Sequence, residues 1–269
     1  MSSFKAAAIQ LNSQPDLDDN FNQIQPLIEK AATEGVSFVT LPENFAFFGD
    51  DKQQFLKAGE ISTRVQSELP VWASKYGMYI LGGGFPAPTD SDKVFNRSIL
   101  AAPNGKIVAS YNKMHLFDVT LSDSESYRES LIMRPGKNEA IVYEAAGLAK
   151  IGFSICYDVR FPELYRKLVD QNVEVITVPS AFTKTTGKAH WEVLLRARAI
   201  ENSSYLIAPA QTGIHGNGKE TYGHSLIIDP WGKVLADAGT EPGLITAEID
   251  LGFLKEVRKK LPALQHRLF

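Results

Sequence analysis

Cysteine is nearly absent: Cys156 is the only one in 269 residues. A disulfide framework needs pairs and a cysteine-rich zinc site needs several, so both are excluded, and the chain reads as a cytoplasmic protein of a reducing compartment. An excess of one charge is lacking too. Lys and Arg total 28 against 31 Asp and Glu, a formal net charge of −3, which gives no field to draw nucleic acid or an anionic membrane surface. No uncharged apolar run reaches the ~18 residues of a membrane span, and MSSFKAAAIQLN at the start lacks the basic head and apolar stretch of a secretion signal. Neither nucleic acid nor membrane is expected as a partner. The five histidines lack the short spacings of metal sites, and LGGGF (81–85) is not followed by the Gly-Lys-Ser/Thr of a phosphate loop. No metal and no cofactor are expected. Linkers, low-complexity tracts and repeats visible by eye are also missing, so a single domain over residues 1–269 is expected.

What the chain does have is 44% hydrophobic residues, enough for a large core. They fall into ten short runs rich in β-branched residues, at 5–12, 36–43, 79–84, 95–103, 106–114, 149–157, 173–182, 204–212, 224–230 and 244–250. Helical patterns lie at 19–34, 61–76, 161–171, 189–202 and 251–260. Strands alternating with helices predict an α/β protein of large layered sheets. Within 189–202, Trp191, Leu194, Leu195, Arg198 and Ala199 recur at helical spacing, marking a face turned either to the core or to a partner. PNG (103–105) and DPWGK (229–233) read as tight turns. The polar stretch 115–148 is long for a connection, and such loops usually carry function or are disordered.

Three of the strand-like runs end in reactive side chains. In GFSICYDVRFPELYR (152–166) the apolar run stops at Cys156 and a helix begins near Pro162. That puts the thiol where α/β sheets bind ligands and where a helix dipole favours thiolate, although a lone cysteine is often just a small buried hydrophobe. LPENF (41–45) ends its run in Glu43, whose apolar neighbours disfavour the ionised form and suit a general base. YNKMHLFD (111–118) delivers Lys113, a cation able to hold an oxyanion. A base, an oxyanion donor and a thiol are what acyl transfer through sulfur requires.

LPENF, YNKMHLFD and GFSICYDVRFPELYR resemble, in this order, the three motifs of the carbon–nitrogen hydrolase (nitrilase) superfamily. The resemblance runs from AAIQLNSQPD to the LPALQHR tail. It implies a four-layer α-β-β-α sandwich. It also implies that Glu43 deprotonates Cys156, that the thiolate attacks an amide carbon, and that Lys113 and the backbone N–H of Tyr157 hold the oxyanion. A thioester would form and be hydrolysed to carboxylate, with ammonia released. Glu129, in YRES, matches a second glutamate of the family that orients Lys113 or the substrate. Subunits of this family commonly pair through the helix after the cysteine and a later one, here 161–171 and 189–202, so a homodimer or higher homo-oligomer is expected.

Within the superfamily, CYDVRFPELYR, LLRARAIEN and TYGHSLIIDPWG are more similar to the amidases of deaminated glutathione than to the ω-amidases of α-ketoglutaramate and α-ketosuccinamate. An N-carbamoyl amine hydrolase is a further alternative, and so is a partner-binding protein with a silent site. The expected substrate is a small carboxylate-bearing amide. Arg160 offers a guanidinium that can grip a carboxylate through two hydrogen bonds, unless it forms a helix-start ion pair with Asp158 or Glu163. By the resemblance Arg160, Phe182 and Thr186 line the substrate end of the pocket. His115 and His266 read as peripheral.

Overall fold

The computed structural model describes residues 3–123, 125–216 and 218–268. The chain begins with β1 (Ser3–Gln10), α1 (Leu17–Thr33), β2 (Phe38–Thr40), α2 (Asp51–Tyr76), β3 (Tyr79–Ala87), β4 (Phe95–Ala101) and β5 (Ile107–Asn112). A hairpin of β6 (Asp118–Ser122) and β7 (Glu125–Arg128) follows, then β8 (Val142–Glu144). The second half runs β9 (Lys150–Phe153), α3 (Pro162–Asp170), β10 (Val175–Thr177), α4 (Lys184–Asn202), β11 (Tyr205–Ala208), β12 (Thr212–Ile214) and β13 (Glu220–Tyr222). It closes with β14 (Leu226–Ile228), β15 (Val234–Asp237), β16 (Gly243–Asp250) and α5 (Leu251–Lys260).

These strands make two six-stranded sheets, β16-β1-β2-β3-β4-β5 and β8-β9-β10-β11-β14-β15. Both follow one series of pairings: antiparallel, parallel, parallel, antiparallel, antiparallel. The topology is thus doubled although no repeat is visible in the residues. Parallel neighbours require a crossover helix, and that constraint fixes the order of elements while leaving side chains free to diverge.

Alternation along β1 sorts the layers. Ala7 and Ile9 pack with Phe21 and Ile24 of α1 and Ile61 and Leu69 of α2, whereas Ala6 and Ala8 share a core with Phe153, Val175 and Leu206 of the second sheet. Leu164 and Leu168 of α3 and Trp191, Leu195 and Ala199 of α4 belong to that same core. One helical pair covers each sheet, and the fold is the expected α-β-β-α sandwich.

All ten expected strands form, and five helices lie where helical patterns were read, with differences at their starts. Helix α2 begins at Asp51, ten residues before the expected 61, behind a reciprocal cap in which Asp50 Oδ1 accepts the Gln53 N–H and Gln53 Oε1 accepts the Asp50 N–H. Exposed Phe55 and Leu56 blur the apolar stripe of that first stretch. Helix α4 begins at Lys184, capped by Thr183. Gly187 hides this start in the sequence, yet a Cβ there would stand 2.3 Å from Tyr222 Cβ, so the glycine is what lets α4 approach β13. Trp191 is fully buried and donates its indole N–H to His224 O at 2.7 Å, so its face is core. The stretch 115–148 contains the unexpected β6, β7 and β8; strands without a buried face leave no apolar alternation to read. Among the described residues no helix is long and apolar enough to cross a membrane.

Candidate active site

The carboxyl ends of β2, β5, β9 and β10 meet at the seam between the sheets. Lys113 directly follows β5, but Glu43 and Cys156 stand three residues past β2 and β9, on turns rather than on the strands themselves. Cys156 has φ 46°, a left-handed conformation that costs a residue with a Cβ about 1–3 kcal/mol. Bonds around the turn hold it there. The Cys156 N–H donates to Pro179 O at 3.0 Å, and fully buried Asp158 accepts from the Ile155 N–H (2.9 Å) and the Tyr111 hydroxyl (2.7 Å). Asp158 also accepts from the His115 backbone N–H (3.1 Å) and lies 2.6 Å from His115 Nδ1. His115 is therefore not peripheral: stacked on Phe161 at 3.7 Å, it joins the nucleophile turn to the Lys113 segment.

The glycine run of β3 serves the Glu43 turn. A Cβ at Gly83 would stand 2.2 Å from Pro42 O, and one at Gly84 would stand 2.1 Å from Asn96 Oδ1. Only glycine lets β3 pass so close beneath the Pro42–Glu43 backbone.

Glu43, Lys113 and Glu129 form one ion cluster. Lys113 Nζ lies 3.0 Å from Glu43 Oε1 and 2.9 and 3.1 Å from the two oxygens of Glu129. Glu43 is 4% exposed and Lys113 2%, so bulk water satisfies neither. Instead Glu43 Oε1 also accepts from Asn96 Nδ2 (2.8 Å), and Oε2 accepts the Ala181 N–H (2.9 Å). Glu129 Oε2 accepts the Phe117 N–H at 2.6 Å. Burial pulls the Lys113 ammonium down, but Glu129 and Glu43 outweigh it and hold the lysine well above its ordinary value. Burial and then the Glu43 charge push the Cys156 thiol well above its usual range, with Lys113 offsetting only part. Both favour the protonated thiol over the thiolate. Desolvation beside Glu43 works against the thiolate that the dipole of α3, six residues away, favours.

These groups open into a cleft of about 230 Å³. Its apolar walls include Phe48, Phe117, Tyr127, Met133 and Phe182, and Asp51, Arg128, Thr186 and Lys219 contribute polar groups. A family model described as carbon–nitrogen hydrolase matches residues 5–259. The chain belongs to the carbon–nitrogen hydrolase family. A relative from Synechocystis sp. (strain PCC 6803 / GT-S) named deaminated glutathione amidase is 48% identical, covering all of both chains. One of the same name from Bos taurus is 42% identical over 97% of this chain and 81% of its own. Among solved structures, the C. elegans NitFhit protein superposes with a TM-score of 0.93 at 36% identity, over all of this hydrolase and 66% of that longer chain. Saccharomyces cerevisiae Nit3, a member of branch 10 of the nitrilase superfamily, gives 0.89 at 32% identity, over 100% and 97%.

In this hydrolase Glu43, Lys113, Glu129, Cys156, Tyr157, Phe182 and Thr186 all line the cleft. Arg160 does not. Its guanidinium lies 5.2 Å from the Phe182 ring centre and 5.9 Å from that of Tyr157, and 3.3 Å from His190 Nδ1. It lies against these two rings, and Asp158, its suggested partner, is taken by Tyr111 and His115. Among the described residues, the cations that reach the cleft besides Lys113 are Arg128 and Lys219. Arg128 spends its donors on Val119 O, Tyr127 O and Thr120 Oγ1. Lys219 pairs loosely with Asp51 at 3.5 Å. Among the described residues no group of His, Cys, Asp and Glu is arranged to hold a metal ion. Asn96, Ala181 and Lys219 were not expected from sequence; only Asn96 left a signal, as an amide inside the apolar run FNRSILAAP.

Proposed function

We propose that the chain hydrolyses a linear carboxylate-bearing amide with Glu43 as base, Cys156 as nucleophile and Lys113 as oxyanion donor. The observation that carries this is that the buried Glu43–Lys113 ion pair and Cys156, from segments 70 and 43 residues apart in sequence, line one cleft together. The environment favours the thiol form of Cys156, and its proton passes to Glu43 as sulfur attacks the amide carbon. The carbonyl pair moves onto oxygen, which the Lys113 ammonium and the Tyr157 N–H receive. Collapse breaks the C–N bond, and Glu43 returns the proton to the leaving nitrogen. A water deprotonated by Glu43 then opens the thioester and restores the thiol. Glu129 keeps Lys113 in place throughout.

The favoured substrate is deaminated glutathione, as in the relatives' name. The departing group is then the amine of a dipeptide, whereas ammonia, expected from sequence, leaves only from a primary ω-amide such as α-ketoglutaramate. A second cavity supports the longer substrate: an outer groove that shares Ser126, Tyr127 and Lys219 with the cleft and continues to Lys184 and Lys188. Both amides yield 2-oxoglutarate, so its formation at matched low concentrations compares kcat/KM directly. A higher value for α-ketoglutaramate overturns the peptide reading, and carbon dioxide from a carbamoyl compound would favour the N-carbamoyl alternative. Full turnover by Cys156→Ala overturns the chemistry. The same reading includes a homodimer, supported by exposed Val193 and Ile200 on α4 and Trp231 on the adjoining turn; light scattering that gives the mass of one chain refutes it.

A further inference from the structure

Asn96, near the start of β4, is 3% exposed. Its Nδ2 lies 2.8 Å from Glu43 Oε1 and 3.2 Å from Glu129 Oε1, which fixes the amide with its nitrogen towards both carboxylates. Its Oδ1 is buried with no hydrogen-bond partner among the described residues. An orphaned buried acceptor is costly and calls for an explanation. A leucine of similar size would carry no such cost, so packing alone gives no reason for an amide here. The two N–H groups give one.

Lys113 shares its protons unequally, with two contacts to Glu129 and one to Glu43. The Oε1 atoms of the two carboxylates converge on the same side of the lysine, and Asn96 Nδ2 is the group between them. We propose that Asn96 is a positioning residue that gives one amide proton to Glu43 and one to Glu129. It thereby relieves the repulsion between them and holds Glu43 with Oε2 turned towards the Ala181 N–H and the thiol. The proposal rests on the reading of Glu43 as the base for Cys156. Without Asn96, Glu43 Oε1 keeps a single bond, to a lysine drawn towards Glu129, and the carboxylate turns away from sulfur.

The test uses Asn96→Leu and Asn96→Asp, which keep the size, lose both N–H donors and differ in polarity, and Asn96→Ser, which keeps one donor. A misplaced base is expected to cost about 100-fold in kcat for the first two, with KM within threefold of the wild type, and Asn96→Ser should fall between. Leu suits a buried site and Asp, a third carboxyl beside two others, does not, so a loss in kcat at constant KM shared by both is not what a packing role produces. Should Asn96→Leu fail to fold by circular dichroism, Asn96→Asp and Asn96→Ser decide alone. The proposal is overturned if folded variants turn over within threefold of wild type while Cys156→Ala is inactive, or if KM rises and kcat does not. Activity in Cys156→Ala would instead overturn the thiol chemistry, a separate result.

Discussion

Replacing Glu129 by glutamine removes a charge and almost no volume, yet the surroundings leave the new amide no good orientation. Glu129 Oε1 faces Lys113 Nζ (3.1 Å) and Asn96 Nδ2 (3.2 Å), and Oε2 faces Nζ (2.9 Å) and the Phe117 N–H (2.6 Å). All of these are donors, so whichever way the amide turns, its NH2 opposes two N–H groups. One charge-assisted hydrogen bond lost is worth about 1.5–3 kcal/mol, and the opposed donors add to it. The side chain is 15% exposed and can swing partly clear, which leaves a net cost of about 2–3 kcal/mol. Felt at the Lys113 grip on the oxyanion, that is about 30- to 160-fold in kcat/KM. The assay is 2-oxoglutarate release by wild type and Glu129→Gln, with urea unfolding of both. A kcat/KM within threefold of wild type at unchanged stability would refute the idea that Glu129 holds Lys113.

Glu43→Gln is expected to abolish turnover, by about 1000-fold or more, while lowering the titration of Cys156, since the Glu43 charge is among the causes that raise it; alkylation by iodoacetamide across pH reads that shift, and an unmoved or higher midpoint contradicts it. His215, stacked on Phe48 and bonded to Ser13 O and Thr221 Oγ1, is lowered by burial to about 4. A depressed folded value means that the unfolded chain takes up the proton first, so its contribution is complete above about 6.5 and is lost as pH falls towards 4. Between pH 7 and 5 this should remove about 2 kcal/mol of stability, measured by urea unfolding, and His215→Gln should flatten the slope; an equal slope in both proteins sinks it. Lys219→Ala should raise KM about two- to fivefold for deaminated glutathione, the worth of a half-exposed ion pair, and leave α-ketoglutaramate unaffected; equal shifts for both amides would rule out Lys219 as a contact of the distal carboxylate.

Much of this architecture could be read from periodicity because buried strand segments such as AAAI (6–9) and YLIA (205–208) carry no charged or amide side chain, and their helices are striped. What escaped was polar or short. Strands β6 and β7 bury too little to leave a pattern, and α4 hid its first turn behind Gly187. The residues at the centre of the site were legible through three motifs, since a thiol, a carboxylate and an ammonium at the ends of apolar runs are each out of place. For Arg160, charge and nearness in sequence to Cys156 said nothing of the Phe182 and Tyr157 rings its guanidinium lies against. Asn96 shows the reverse: a neutral amide matters here only because two carboxylates, 53 and 33 residues distant, converge on it.

Glu43, Asn96 and Lys113 ride on the first sheet, while Cys156 and Ala181 ride on the second. The hydrolase therefore carries its own gauge of docking between the two halves. A small slip of one layer over the other leaves every strand and helix intact yet parts the sulfur from its base, so in rising urea turnover should vanish before far-ultraviolet ellipticity changes.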